Sequence, residues 1–106
     1  MSPIRAAVPN SLNFGVLDEA GGLRGYARVV TDQATFAWVC DVYIDPETRG
    51  KGLGVMLAGA IVNHLRPLQL KRVVLSTLDA HGVYEKAGFV ALPEPHKWML
   101  LAESCE

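Results

Sequence analysis

The stretch Asp45-Pro46-Glu47-Thr48-Arg49-Gly50-Lys51-Gly52-Leu53-Gly54 constrains the fold most, because it turns a strand into a helix through a glycine-rich turn. Upstream, Trp38-Val39-Cys40-Asp41-Val42-Tyr43-Ile44 is rich in β-branched and aromatic residues, which favour an extended chain. Pro46 has no amide hydrogen and fixes φ, so neither strand nor helix simply continues through it. Downstream, Leu53, Leu57, Ile61, His64 and Leu65 recur at helical spacing. The alternating glycines therefore fall at a helix N-terminus. There, unpaired N–H groups and the helix dipole favour an anion, and the missing Cβ atoms let oxygens approach closely. With Arg49 and Lys51 alongside, a diphosphate is the expected ligand.

Two common phosphate motifs fail on this run at positions their chemistry needs. A P-loop requires Ser or Thr after its lysine to hold magnesium, and Gly52 follows Lys51. The dinucleotide fingerprint spaces its glycines G-x-G-x-x-G inside a βαβ unit, whereas Gly50, Gly52 and Gly54 alternate. The run Arg49-Gly50-Lys51-Gly52-Leu53-Gly54 resembles instead the coenzyme A pyrophosphate loop, R-G-x-G-x-G/A, of the GNAT superfamily of N-acetyltransferases. A second match follows in the right order: Ala80, Tyr84, Glu85, Lys86, Gly88 and Phe89 resemble that family's A-x-x-x-Y-E-K-x-G-F signature. The resemblance runs from about residue 13 to residue 101.

Half of the 106 residues are apolar, enough to bury a core, and no repeat, low-complexity tract or linker divides them. One domain over residues 1–106 is the expectation. Ten cations against eleven acids leave a net charge of −1, which gives no bulk attraction to nucleic acid or membrane. No apolar run approaches the roughly 20 residues a bilayer requires, and the N-terminus lacks a charged-then-apolar leader, so a cytoplasmic protein is expected. Cys40, within a strand pattern, and Cys105 show no metal or redox spacing and read as free thiols.

The pattern predicts strands over Asn13 to Asp18, Leu23 to Thr31 and from Phe36 to Ile44, joined by tight turns into an antiparallel set. A helix from Gly52 to Leu65 ends before Pro67, and Lys71 to Thr77 forms a strand parallel to Trp38–Ile44. A short helix over Gly82 to Ala87 stops at Gly88. Phe89–Leu92 and Trp98–Leu101 are expected to close the sheet as a hairpin across Pro93 and Pro95. The fold class is α/β with a mixed sheet: antiparallel strands lead to a central parallel pair, with helices packed on the sheet.

The resemblance implies more. In that family the parallel strands splay apart, and the pantetheine arm of acetyl-coenzyme A lies between them. It implies main-chain bonds to that arm from Val42 and Ile44, and a backbone amide at Val42 or Tyr43 that polarises the thioester carbonyl. It places the pyrophosphate on the N–H groups of Gly50, Lys51, Gly52, Leu53, Gly54 and Val55, with charge from Arg49 and Lys51. Lys86 is placed for a ribose phosphate. Thr77 stands where relatives often carry an Asn that bonds the arm. Tyr84 occupies the usual place of the general acid, and a phenol is protonated at neutral pH and able to donate to sulfur.

Asp41, a carboxylate in an apolar strand, is the candidate base or ammonium anchor, on one face with Tyr43 if the strand alternates. Asp79 and His81 precede Tyr84 and are further base candidates, against local capping and solvation. His64 on the helix stripe reads as a core histidine, and Phe36, Trp38 and Trp98 read as core aromatics in preference to the lining of an acceptor pocket. His96 has no companion at metal spacing, and no metal is predicted.

Relatives usually carry a strand and one or two helices before the first strand assigned above, and those helices wall the acceptor site. Met1-Ser2-Pro3-Ile4-Arg5-Ala6-Ala7-Val8-Pro9 offers at most a fragment, so the chain reads as a shortened member. The sheet surface those helices would cover favours a homodimer. The leading function is transfer of an acetyl group from acetyl-coenzyme A to a primary amine of a small molecule or peptide. The alternative is a non-catalytic coenzyme A binding or sensing module. The acceptor is not readable from the fold class.

Overall fold

A computed structural model describes residues 11–48 and 50–101. Its sheet has four strands in the order β1 (Leu12–Leu17), β2 (Leu23–Thr31), β3 (Phe36–Ile44) and β4 (Arg72–Leu75). The first two pairings are antiparallel and β3–β4 is parallel. Between β3 and β4 runs helix α1 (Leu53–Leu65), and α2 (His81–Lys86) follows β4.

Period-two alternation sets the layers. Ala27 and Val29 of β2 and Ala37 and Val39 of β3 are buried on one face, and Leu57, Ile61 and Leu65 of α1 pack onto them at helical spacing. Two alanines on the sheet side let the helix sit close. Phe14 and Val16 of β1 and Val73 and Leu75 of β4 complete the cluster. Turns are fixed by carboxylates: Asp32 accepts from the amides of Ala34 and Thr35 at 2.9 and 2.8 Å, and Asp18 from those of Ala20 and Gly22 at 2.9 and 2.7 Å.

The opposite face differs from the sequence expectation. Phe36 and Trp38 are not core; they are 38% and 45% exposed, beside Val30 at 37%. Their strand positions alternate with Ala37 and Val39, so the residues facing α1 exclude them. Trp98 is likewise exposed, at 42%. His64 is also exposed, at the flank of α1, with its ring edge-to-face against Phe14 at 5.5 Å.

The expected closing hairpin is absent. Among the described residues, 89–101 contain no strand, and a 3-10 turn occupies Pro95–Lys97. Pro93 and Pro95 remove two amide donors from the segment that would have had to pair. A groove of about 1250 Å3 lies between β4 and this segment, lined by Phe36, Val74, Phe89 and Trp98 among others.

Candidate active site

The site forms where a pairing stops. β3 and β4 are in register from Phe36↔Arg72 to Val39↔Leu75 and no further, although β3 continues to Ile44. Cys40 to Ile44 therefore have β2 on one side and, among the described residues, no strand on the other. The Asp45 amide donates to the Arg24 carbonyl at 2.8 Å. Successive amides of an extended chain point to opposite sides, so those of Val42 and Ile44 turn away from β2 into the opening, while that of Tyr43 faces β2.

A β-bulge sits at the same point. Tyr26 opposes Tyr43 and Arg28 opposes Cys40, so Ala27 alone opposes both Asp41 and Val42. Asp41 is in the left-handed region with φ 52°, a conformation uncommon outside glycine. The extra residue shifts the alternation: Ile44 packs against the core, and Tyr43 shares the open face with Tyr26. Asp41 reaches that face as well, because its Oδ2 accepts a 2.7 Å hydrogen bond from Nε of Arg28. The shared face of Asp41 and Tyr43 thus comes from a bulge and not from simple alternation. The Arg28 side chain is 18% exposed, and the Asp41 bond further favours its charged form.

Past β3, the chain is braced before it reaches the glycines. Arg24 donates from Nε to Asp18 at 2.8 Å and from a terminal nitrogen to Asp45 at 2.6 Å. The Asp45 carboxylate also accepts from the Glu47 amide at 2.9 Å, and its carbonyl accepts from Thr48. These bonds hold Asp45 below the ordinary carboxylate range, the Glu47 amide most and Arg24 next. The turn then needs positive φ at Gly50 and Gly52, 86° and 77°. Gly52 caps α1 in the left-handed conformation, and among the described residues no side chain caps that helix end. The amides of its first turn thus lack a capping side chain, at the positive end of the dipole. Arg49 lies outside the described residues; Lys51 is exposed.

Gly54 serves packing. A Cβ there would meet the Val83 side chain at 3.5 Å, so α2 rests close on α1. That contact brings Tyr84 to the fork itself: with Phe89 it lines a small crevice shared with Val39, Leu75, Ala58 and Ile61. The Tyr84 ring meets Phe89 edge-on at 5.9 Å, and burial raises its phenol above the ordinary value. Tyr84 is thus on the α1 side of the fork, and the Asp41 carboxylate is on the open side. Thr77 accepts from the Ala80 amide at 3.1 Å through its hydroxyl oxygen, which fixes the entry to α2 and leaves its O–H proton for another partner. Lys86, Asp79 and His81 are exposed. Among the described residues no three His, Cys, Asp or Glu side chains cluster as a metal would need.

Sequence reasoning missed Arg28 and Arg24. Each is an isolated cation in an otherwise apolar strand pattern, a signal that a carboxylate lies across the sheet.

The fold is a mixed α/β sheet, and the unpaired part of β3 lies at the carboxyl end of its parallel strand pair, the end at which open α/β sheets commonly bind ligands. Residues 3–89 match the sequence profile of the Acetyltransferase (GNAT) family, and the chain belongs to that family. It is 31% identical to an uncharacterized N-acetyltransferase, ycf52, of Porphyra purpurea, over 77% of this chain and 48% of that protein. It is 38% identical to a chloroplastic GCN5-related N-acetyltransferase 2 of Arabidopsis thaliana, over 73% of this chain and 30% of that one. The chain thus spans about half the length, or less, of these relatives. A crystal structure of a GNAT-family protein from Xanthomonas campestris pv. campestris superposes with a TM-score of 0.82 at 38% identity, over 92% of this chain and 68% of that one. Tetrahymena GCN5 shares the fold, with a TM-score of 0.65 at 16% identity over 80% of this chain and 56% of that one. Among the described residues, no helix is long and apolar enough to cross a membrane.

Proposed function

We propose that this chain transfers the acetyl group of acetyl-coenzyme A to a primary amine of a small molecule or peptide by direct attack on the thioester. The observation that carries the reading is the end of β3–β4 pairing at Val39–Leu75, with β3 running on to Ile44 and the glycine-capped end of α1 following in the chain. In this reading the amides from Gly50 to Val55 hold the pyrophosphate, assisted by Arg49 and Lys51, with Lys86 near the ribose phosphate. Main-chain groups of Val42 and Ile44 take the place of a missing strand against the pantetheine arm. The Thr77 hydroxyl proton adds a donor beside it.

The amine attacks the carbonyl carbon, forming C–N. The Val42 amide, already directed into the opening, stabilises the developing oxyanion without reorganising. C–S then breaks, and Tyr84 donates its proton to the departing thiolate; burial keeps that phenol protonated at neutral pH. The proton lost by the amine goes to the Asp41 carboxylate on the open face. The same face supports a homodimer through Phe36, Trp38 and Val30, and a monomer in light scattering at micromolar concentration contradicts that part. Thiols without redox spacing fit a reducing compartment such as the cytoplasm.

Calorimetric titration with acetyl-coenzyme A, followed by thiol release across an amine panel, tests the reading. Saturable binding with turnover on at least one amine is the expected result. Binding without turnover supports a coenzyme A binding module instead, and no binding contradicts both.

A further inference from the structure

Asp41 is the one described non-glycine residue within a strand that has positive φ; the others, Gln33 and Gln69, are in turns. Asp and Asn usually tolerate this region by bonding their own neighbouring backbone. Asp41 does otherwise, since its recorded bond crosses to Arg28 on β2. Arg28 is well placed to hold it. Its neighbours Ala27 and Val29 are fully buried, so its backbone is fixed by the core, and its side chain is 18% exposed against 61% for Asp41. The fixed partner therefore holds the strained one.

Strand geometry decides what depends on this bond. A shift of one residue in a strand carries every later side chain to the opposite face and every later amide to the opposite edge. Were the bulge lost, Tyr43 would turn towards α1, Ile44 would leave the core, and the amides of Val42 and Ile44 would no longer face the opening. We propose that Arg28 is a positioning residue for the cofactor-binding edge: its ion pair with Asp41 holds the left-handed bulge that turns Val42 and Ile44 into the gap. The ligand side of this proposal rests on the functional reading above; the bulge side does not.

The test pairs Arg28→Ala with Asp41→Gly, because glycine adopts positive φ without a clamp. Calorimetry with coenzyme A is expected to show Arg28→Ala binding about fivefold more weakly. The double variant Arg28→Ala/Asp41→Gly is expected to return to within about twofold of wild type. A merely structural role for Arg28 lowers the melting temperature without changing affinity, and that result overturns the proposal, as does a double variant no tighter than Arg28→Ala.

Hydrogen exchange without ligand separates this failure from failure of the functional reading. The Asp45 amide is expected to exchange faster in Arg28→Ala and to recover protection in the double variant. Should wild type not bind coenzyme A, the functional reading fails and this exchange comparison alone decides, unchanged exchange in Arg28→Ala overturning the proposal. If Arg28→Ala does not fold, Asp41→Gly against Asp41→Val serves: protection of the Asp45 amide kept in the first and lost in the second supports the bulge, and equal protection overturns it.

Discussion

Along β3, Phe36–Val39 has a strand on each side, whereas Cys40–Ile44, among the described residues, has one. In the first half every second residue is sealed under α1, Ala37 at 0% and Val39 at 3% exposure. In the second, a bulge, a positive φ and a cross-strand ion pair replace regular pairing, and Val42 and Tyr43 are exposed. Continuous pairing makes a scaffold that resists deformation, and its interruption makes main-chain groups available to something other than the protein. The same strand supplies both, so the second half inherits its position from the first.

The comparison breaks most visibly on the scaffold side. Ile61→Ala removes a side chain that is 2% exposed against Val39 and should cost about 2–5 kcal/mol in urea unfolding. For a small domain that is a large share of the total. A loss below about 1 kcal/mol would mean that α1 does not hold the first half of β3 in place.

At the fork, Tyr84→Phe keeps the ring packed on Phe89 and removes only the hydroxyl that would donate the proton. Turnover is expected to fall about 100-fold while coenzyme A affinity stays unchanged. Equal loss of affinity would reassign Tyr84 to packing. A smaller effect is expected from Gly52→Ala, which puts a Cβ on a left-handed residue at a cost of about 1–2 kcal/mol. The added Cβ would meet no atom within 4 Å, so the loss measures conformation alone.

The smallest effect is the acid limb of stability. Asp18 is held below its ordinary value by the Gly22 amide and Arg24, Asp45 by the Glu47 amide and Arg24, and Asp32 by the Thr35 hydroxyl and the amides of residues 34–36. Each binds fewer protons folded than unfolded as the pH nears the ordinary value of 3.8. Their contribution is therefore complete above that value and declines as the pH falls below it towards the native values. The melting temperature should fall as the pH drops below about 4, less steeply in Asp32→Asn. An identical acid limb in that variant removes Asp32 from the account.

Much of this arrangement was legible in the sequence, because strands, helix and glycine turn each carry a local signal: alternation in Leu23–Thr31, helical spacing in Leu57, Ile61 and Leu65, and glycines where φ turns positive. What was not legible depends on partners across the sheet. A bulge at Asp41 is a relation between Ala27 and two residues of β3, and nothing adjacent in sequence announces it. Phe36 and Trp38 look like core by type, and only the register with Val30 and Val74 shows that they face away from α1. The failed hairpin teaches the converse, since apolar content in Trp98–Leu101 outweighed two prolines in the reading but not in the fold.

The central claim is that the opening beside Cys40–Ile44 and the capped end of α1 form one binding surface. The most direct measurement follows backbone amide resonances through a titration with coenzyme A. The account predicts shifts concentrated at Val42, Ile44 and residues 50–55, saturating together at one affinity. Shifts confined to the groove along β4, at Val74, Phe89 and Trp98, with Val42 and Ile44 unmoved, would contradict it.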